Sequence, residues 1–431
     1  MSMDPVTGYW VTVGVFLATY AALAWGTVPG LRISRAGITI TGAAALLFAG
    51  VLTREAAVKA IDFDTIALLL GMMIVVGTLQ ISGFFTWLTD TVAARCQGAY
   101  SLLAVVMGLS GVLSAFLVND VVCVAMTPLV LRLCQRLGRP PLPYLIGLAT
   151  SSNVGSIATI TGNPQNIIIG SLSGIPYASF AARLAPVALL GLLVNFVVVV
   201  LVYRRVLSQP LMTSRPHRHQ RGYIHQALCI KTVVVALVAV TLFFLGLPIA
   251  TVALAAAGIC LLDRVRTDRI FRHVDWPLLL MFAGLFIVVA AFEAQVVHHW
   301  QLNSILQSAR SPILTISGLA VVLSNLVSNV PAVLLFVPLM ADLLDAESGW
   351  LALAMASTCA GNLTLLGSVA NLIVAESARR ERIEVGFVEY LKVGIPVTLL
   401  TLTIGIVWLT WTSPAAGPIE RQITLQQVSS R

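Results

Sequence analysis

The chain has 431 residues, 58% of them hydrophobic and only 10% Asp, Glu, Lys or Arg, with mean hydropathy +0.94 and net charge +8. A soluble globular protein carries about 25% charged residues because its surface must be wetted. This composition excludes a soluble enzyme, a nucleic-acid binder and a disordered chain, and leaves a multi-spanning membrane protein.

In chain order, crossings are predicted over 9–26, 36–52 and 65–85, since a helix needs about 20 mostly apolar residues to span the hydrocarbon core. The opening MSMDPVT carries an Asp and no basic residue, so the first apolar stretch reads as a retained span rather than a cleaved signal. The segment 101–169 is interrupted by polar residues and does not read as uniform spans. Unpaired backbone in hydrocarbon costs several kcal/mol per group. We therefore read 101–134 as a re-entrant hairpin with its tip at Asn119-Asp120, and 141–172 as a helix broken at 152–166. Further crossings are predicted at 186–203, 232–247, 249–262 and 277–297. A second interrupted region then gives a hairpin over 311–340, with its tip at Ser328-Asn329, and a helix over 351–378 broken at 362–371. A last crossing occupies 393–411.

The two interrupted regions resemble each other. Leu113 to Asn119 aligns without gaps on Leu323 to Asn329, an offset of 210, which also sets Pro128-Leu129 on Pro338-Leu339. Gly162-Asn163-Pro164-Gln165-Asn166 falls on Gly367-Ser368-Val369-Ala370-Asn371 with an offset of 205. Upstream, Ile74-Val75-Val76 answers Ile287-Val288-Val289. The predicted fold is an all-α polytopic membrane protein of two inverted repeats, each with five crossings and one re-entrant hairpin. The first repeat is 1–206, a basic linker 207–230, the second repeat 231–412 and a polar tail 413–431. Such a repeat is the signature of a secondary transporter whose site lies between the halves near the midplane.

Charge placement supports this topology. With the linker cytoplasmic, only Arg54, Lys59, Arg183, Arg310, Arg421 and Arg431 of the 26 basic residues fall outside, in line with the positive-inside rule. Both termini are then external. His217, His219 and His225 lie in the linker among arginines, where a solvated segment facing anionic lipid explains them better than a metal site.

The intramembrane polar residues are the candidate substrate ligands: Asn119, Ser152, Asn153, Asn163, Asn166, Ser328, Asn329, Asn362, Thr364 and Asn371. Amides and hydroxyls offer donors and acceptors without fixed charge, and broken helices add free N–H and C=O groups at their ends. Interhelical bonding is the usual role of a lone Asn or Ser in a membrane helix; matching clusters in two halves point instead to a site. Asp120 is the one carboxylate that this topology puts deep in the bilayer. Its charge there is costly unless a proton or cation neutralises it, which makes it the candidate for coupling to H+ or Na+. No Lys or Arg falls in the core of a span, so a small neutral hydroxylated solute suits the inventory better than a multiply charged anion. The six cysteines (Cys96, Cys123, Cys134, Cys229, Cys260, Cys359) show no metal spacing; Cys123 and Cys359 lie beside the polar regions, where a thiophilic solute would meet them, but tight thiolate binding would slow release and buried cysteine is commonplace. No metal site, no cofactor and no nucleophile–base pair within a span is expected, so the chain does not read as an enzyme.

At Val118-Asn119-Asp120, Thr127-Pro128-Leu129, Ser152-Asn153-Val154-Gly155 and Gly162-Asn163-Pro164-Gln165-Asn166 the sequence resembles the ArsB/NhaD-type permeases of the ion transporter superfamily. Ser328-Asn329-Val330-Pro331, the run Gly361 to Gly367, and Ala370-Asn371 extend the likeness. That family includes arsenite and antimonite efflux permeases, silicon-efflux transporters, Na+/H+ antiporters and anion permeases. Its dicarboxylate–sodium relatives carry Ser-Asn-Thr at both tips, unlike the Val-Asn-Asp and Ser-Asn-Val here. The best-known arsenite pumps differ around Asn362–Asn371. The resemblance implies a scaffold and a mobile, elevator-type transport domain in a bacterial or archaeal cytoplasmic membrane. It also implies a small inorganic solute, a possible homodimer and, in the family context, an arsenite-stimulated ATPase subunit. The leading expectation is proton-coupled efflux of arsenite or antimonite as the neutral trihydroxide; Na+/H+ antiport and carboxylate or oxyanion permeation are the alternatives.

Overall fold

The computed structural model describes residues 5–25, 33–95, 98–209, 224–297, 311–340, 343 and 345–413. Linker residues 210–223, with His217 and His219, and the tail from 414 onward lie outside the described residues, as do Arg310, Arg421, Arg431 and Cys96. The described chain is helical throughout, and seven helices are long and apolar enough to cross a membrane.

The first half begins with α1 (Pro5–Trp25), α2 (Arg35–Phe48), the short α3 (Arg54–Ala60), α4 (Phe63–Ser82) and α5 (Phe84–Arg95). Two predicted spans are shorter than the sequence suggested. The span predicted over 36–52 ends at Phe48, with Gly50 at φ 72° turning the chain into α3, whose N-cap is Thr53. The span over 65–85 stops at Gly83, whose φ of 82° needs a residue without Cβ. α6 (Ala99–Phe116) and α7 (Asn119–Arg136) follow, joined at Leu117-Val118. Then come α8 (Leu142–Ser156), a 3-10 turn (Ile160–Gly162), α9 (Pro164–Ser173) and the long α10 (Tyr177–Leu207).

The second half repeats the order. It runs through α11 (Gln226–Phe244), α12 (Ile249–Leu261), α13 (Thr267–Phe271) and α14 (Trp276–Phe292). α15 (Pro312–Val327) and α16 (Asn329–Met340) meet at Ser328. α17 (Ala346–Ala360), a 3-10 turn (Leu365–Gly367), α18 (Val369–Arg380) and α19 (Phe387–Thr412) complete it. α12 has 13 residues, about 20 Å at 1.5 Å per residue, less than a hydrocarbon core of about 30 Å.

The pairings repeat too. α6 packs on α8 as α15 does on α17, and α10 packs on α8 as α19 does on α17. The halves are crossed: α2 packs on α14, and α12 on α4. α7 lies against α18, and α16 against α9. Each hairpin of one half is therefore seated on the broken helix of the other, which brings the polar interruptions together. Close approach is built in where α6 meets α8: a Cβ on Gly155 would stand 2.2 Å from the Gly111 carbonyl.

Candidate functional site

The two helix breaks are closed by the same device. In the first, Asn166 Nδ2 donates to the carbonyls of Ser156 (3.1 Å) and Thr159 (3.0 Å). In the second, Asn371 Nδ2 donates to those of Gly361 (2.7 Å) and Thr364 (3.3 Å). The Ser156 and Gly361 carbonyls are left without helical partners where α8 and α17 end, while those of Thr159 and Thr364 also accept from Gly162 N (3.3 Å) and Gly367 N (3.0 Å) in the 3-10 turns; buried backbone must be paired. The residues that start the outgoing helices also match. Asn163 Oδ1 caps α9 by accepting from Asn166 N at 2.8 Å, and Ser368 Oγ caps α18 by accepting from Ala370 N at 3.2 Å.

One side chain from each half ties the breaks to each other. Asn153 uses its full capacity: Oδ1 accepts from Asn119 Nδ2 and Ser368 Oγ, both at 3.0 Å, and Nδ2 donates to Asn362 Oδ1 (2.8 Å) and Asn371 Oδ1 (3.0 Å). Thr358, at the matching position of the second half, accepts from Asn163 Nδ2 (3.1 Å) and Gln165 Nε2 (3.2 Å) and donates to Asn166 Oδ1 (3.5 Å). Asn362 Nδ2 reaches the Thr150 carbonyl (3.1 Å), and Tyr390 OH donates to Asn362 Oδ1 (3.4 Å). Ser152 shares a 2.8 Å hydrogen bond with Ser114 and donates to the Asn119 carbonyl at 3.2 Å. Thr364 Oγ1 donates to Asn325 Oδ1 at 3.3 Å.

Beside this network lies a cavity of about 350 Å³. Of the candidates named from the sequence, Asn119, Asp120, Ser328 and Asn329 line it. Ser152, Asn153, Asn163, Asn166, Asn362, Thr364 and Asn371 do not; they stand behind it, holding the breaks and each other. Cys123 and Cys359 are buried and also lie away from its wall. Asn119 Oδ1 and Asn329 Oδ1, one from each hairpin tip, are buried and find no partner among the described residues. Asp120 presents its carboxylate to the Ala370 backbone N–H at the start of α18. The cavity thus offers an unpaired acceptor from each tip, with the Arg35 guanidinium in the same wall.

Several residues that line it were not singled out from the sequence. Gln165 and Ser368 lie within the quoted repeat, but Ser34, Arg35 and Asp275 sit at helix starts that the sequence reads as loop edges. Ser34 caps α2 through Gly37 N, and Asp275 caps α14 through Leu278 N at 3.0 Å. The crossing of α2 on α14 delivers both helix starts to one place. A usable signal existed for Asp275: the alignment of Ile74-Val75-Val76 with Ile287-Val288-Val289 sets Asp62 against it. Thr358 was equally reachable, as the partner of Asn153 in the offset of 205.

Residues 20–360 match the family model described as CitMHS: Citrate transporter. The chain is 28% identical to a putative transporter arsB of Dictyostelium discoideum, over 87% of this chain and 87% of that one. It is 29% identical to the silicon efflux transporter LSI3 of Oryza sativa subsp. japonica, over 92% of this chain and 96% of that one. Among solved structures it resembles the YdaH transporter of Alcanivorax borkumensis, with TM-score 0.58 at 15% identity, covering 95% of this chain and 99% of that one. That likeness is one of fold.

Proposed function

The chain belongs to the CitMHS citrate transporter family of membrane transporters, and from that premise we propose that it exports a small neutral hydroxylated solute, arsenite or antimonite as the trihydroxide, in exchange for a proton. The observation that carries this reading is the pair of unpartnered tip oxygens, Asn119 Oδ1 and Asn329 Oδ1, in a wall shared with Asp120. A solute made of O–H donors satisfies such acceptors, and leaving them dry and unpaired would cost about 1–3 kcal/mol each. Asp120 supplies the exchangeable charge: protonated it matches its surroundings, and ionised it gains the Ala370 N–H at the positive end of α18. Proton and solute then compete for the same wall, which is the requirement for exchange.

The carried unit is α6–α9 with α15–α18, and the fixed unit is α1, α2, α4, α11, α12 and α14. The cavity lies at the starts of α2 and α14, next to the loop with Arg264, Arg266, Arg269 and Arg272. By the positive-inside rule it therefore opens to the cytoplasm, the side from which an exporter loads.

In everted membrane vesicles, arsenite uptake should dissipate an imposed pH gradient, and Asp120→Asn should abolish that dissipation. Undiminished proton-coupled uptake by this variant would remove Asp120 from the coupling role. A second reading is favoured by Arg35, the cationic residue in the cavity wall: permeation of a carboxylate anion. Uptake of labelled citrate, lost in Arg35→Gln and indifferent to arsenite, would establish it in place of the first.

A further inference from the structure

Asp62 and Asp275 hold equivalent places, as the N-caps of the two equivalent wall helices. Asp62 Oδ1 accepts from Thr65 N at 2.9 Å at the start of α4, and Asp275 Oδ1 accepts from Leu278 N at 3.0 Å at the start of α14. Their surroundings differ. The second oxygen of Asp62 accepts a 2.8 Å hydrogen bond from Ser171 Oγ, on the last turn of α9, and α4 packs against α9. Asp275 instead borders the cavity, which separates Pro277, Leu278 and Met281 of α14 from Val369 and Leu372 of α18. One end of the molecule is shut by a wall carboxylate and a broken helix; at the other end the same two elements stand apart.

We propose that Asp62 and Asp275 are a matched pair of gate carboxylates that position the carried unit by turns. In the conformation seen, Ser171 on Asp62 holds one end closed. In the opposite conformation the roles exchange: α9 leaves α4, and α18 closes on α14. Ser171 lies eight residues beyond the Asn163 cap, and Glu376 lies eight beyond the Ser368 cap, so Glu376 is the residue that arrives at Asp275. Arg379 and Arg380 hold Glu376 at 2.8 and 3.9 Å. They travel with it and bring the positive charge that allows two carboxylates to meet. The proposal rests on the alternating-access reading above but on no choice of solute.

The test uses two cysteine pairs in the full-length protein in proteoliposomes, read by cross-linking and peptide mass, with each single-cysteine variant as the control for native thiols. D62C/S171C should cross-link at once on mild oxidation. D275C/E376C should cross-link slowly, as the other conformation is visited. Adding S171A to the second pair removes the latch without touching the α4 cap. It should speed that cross-link roughly tenfold, equivalent to about 1.4 kcal/mol. In a separate variant, L372C in the cavity wall, S171A should lower labelling by an impermeant maleimide from the cavity side. Failure of D275C/E376C to cross-link in folded protein, or an S171A effect on neither readout, overturns the gate assignment. None of these measurements requires arsenite, so failure of the substrate reading leaves them interpretable.

Discussion

In the first half Asn166 reaches back to the carbonyls of Ser156 and Thr159; in the second, Asn371 makes the same two bonds to Gly361 and Thr364. The breaks are built alike because they answer the same demand, buried carbonyls at the end of a helix with no water to pair them. The hairpin tips are not alike. Val118-Asn119-Asp120 carries the cavity's tip carboxylate, and Asn119 is tied to Asn153. Ser328-Asn329-Val330 has an apolar residue where Asp120 would fall, and Ser328 stands at φ 78°. The contrast between alike breaks and unlike tips separates what every member of such a pair must do, which is to close a break, from what one copy alone does, which is to carry charge.

The largest effect is expected where the halves use unlike residues at the same helix contact. Gly155 corresponds to Ala360, and Gly111 to Val321, so only the first half meets at this contact with glycine on both sides. The added methyl of Gly155→Ala would meet backbone at 2.2 Å, which cannot yield as a flexible side chain would. This variant should lose its monodisperse peak in size-exclusion chromatography, although the same residue is native at the equivalent place. Next comes the hub. Asn153→Ala removes four bonds and strands three partners, since Tyr390 still reaches Asn362 Oδ1, whereas Thr358→Ala removes three and strands two, since Asn163 Nδ2 still donates to Ser156. At about 1–3 kcal/mol for each buried group left unpaired, both should lower the thermal midpoint in detergent, Asn153→Ala by more. A reversed order would show that the two hubs are not equivalent.

Asn166→Ala leaves Ser156 O with Asn163 Nδ2 and Thr159 O with Gly162 N, whereas Asn371→Ala leaves Thr364 O with Gly367 N but strands the Gly361 carbonyl, so Asn371→Ala should be the more destabilising by about 1–3 kcal/mol. Equal losses in thermal unfolding would show that the spare donors of the first break do not hold its carbonyls.

The offset of 205 was readable from residues 162–166 and 367–371 alone, and with it the existence of two breaks facing each other. The occupation of each amide was not. An Asn at a break has the same donors and acceptors whether it clamps a carbonyl or waits for a solute. Asn119 and Asn329 differ from Asn163, Asn166 and Asn371 only in which neighbours fall within about 3 Å. Arg35 and Asp275 were hidden for another reason. In sequence they are loop edges some 240 residues apart, and only the crossing of α2 on α14 makes them neighbours in one cavity. The match of Asp62 with Asp275 lay in the alignment but had no meaning until Ser171 was seen on one and the cavity beside the other.

The smallest effect concerns tip two. At φ 78° and ψ 160° Ser328 occupies a region that is essentially glycine's, at a cost of order 1–3 kcal/mol. Val118, its counterpart, sits at φ −50° and ψ 122° without that cost. Ser328→Gly relieves the strain but frees the unfolded chain, which returns about 0.5–1 kcal/mol. A net stabilisation of about 1 kcal/mol is therefore expected in thermal unfolding. The gain comes with a looser tip, because the strained backbone is what aims Asn329 Oδ1 at the cavity. Solute binding measured by calorimetry should weaken in Ser328→Gly while the protein melts later, and Val118→Gly should show no such trade. If Ser328→Gly instead melts earlier, the serine hydroxyl in the cavity wall outweighs the backbone, and the tips differ by side chain rather than by strain.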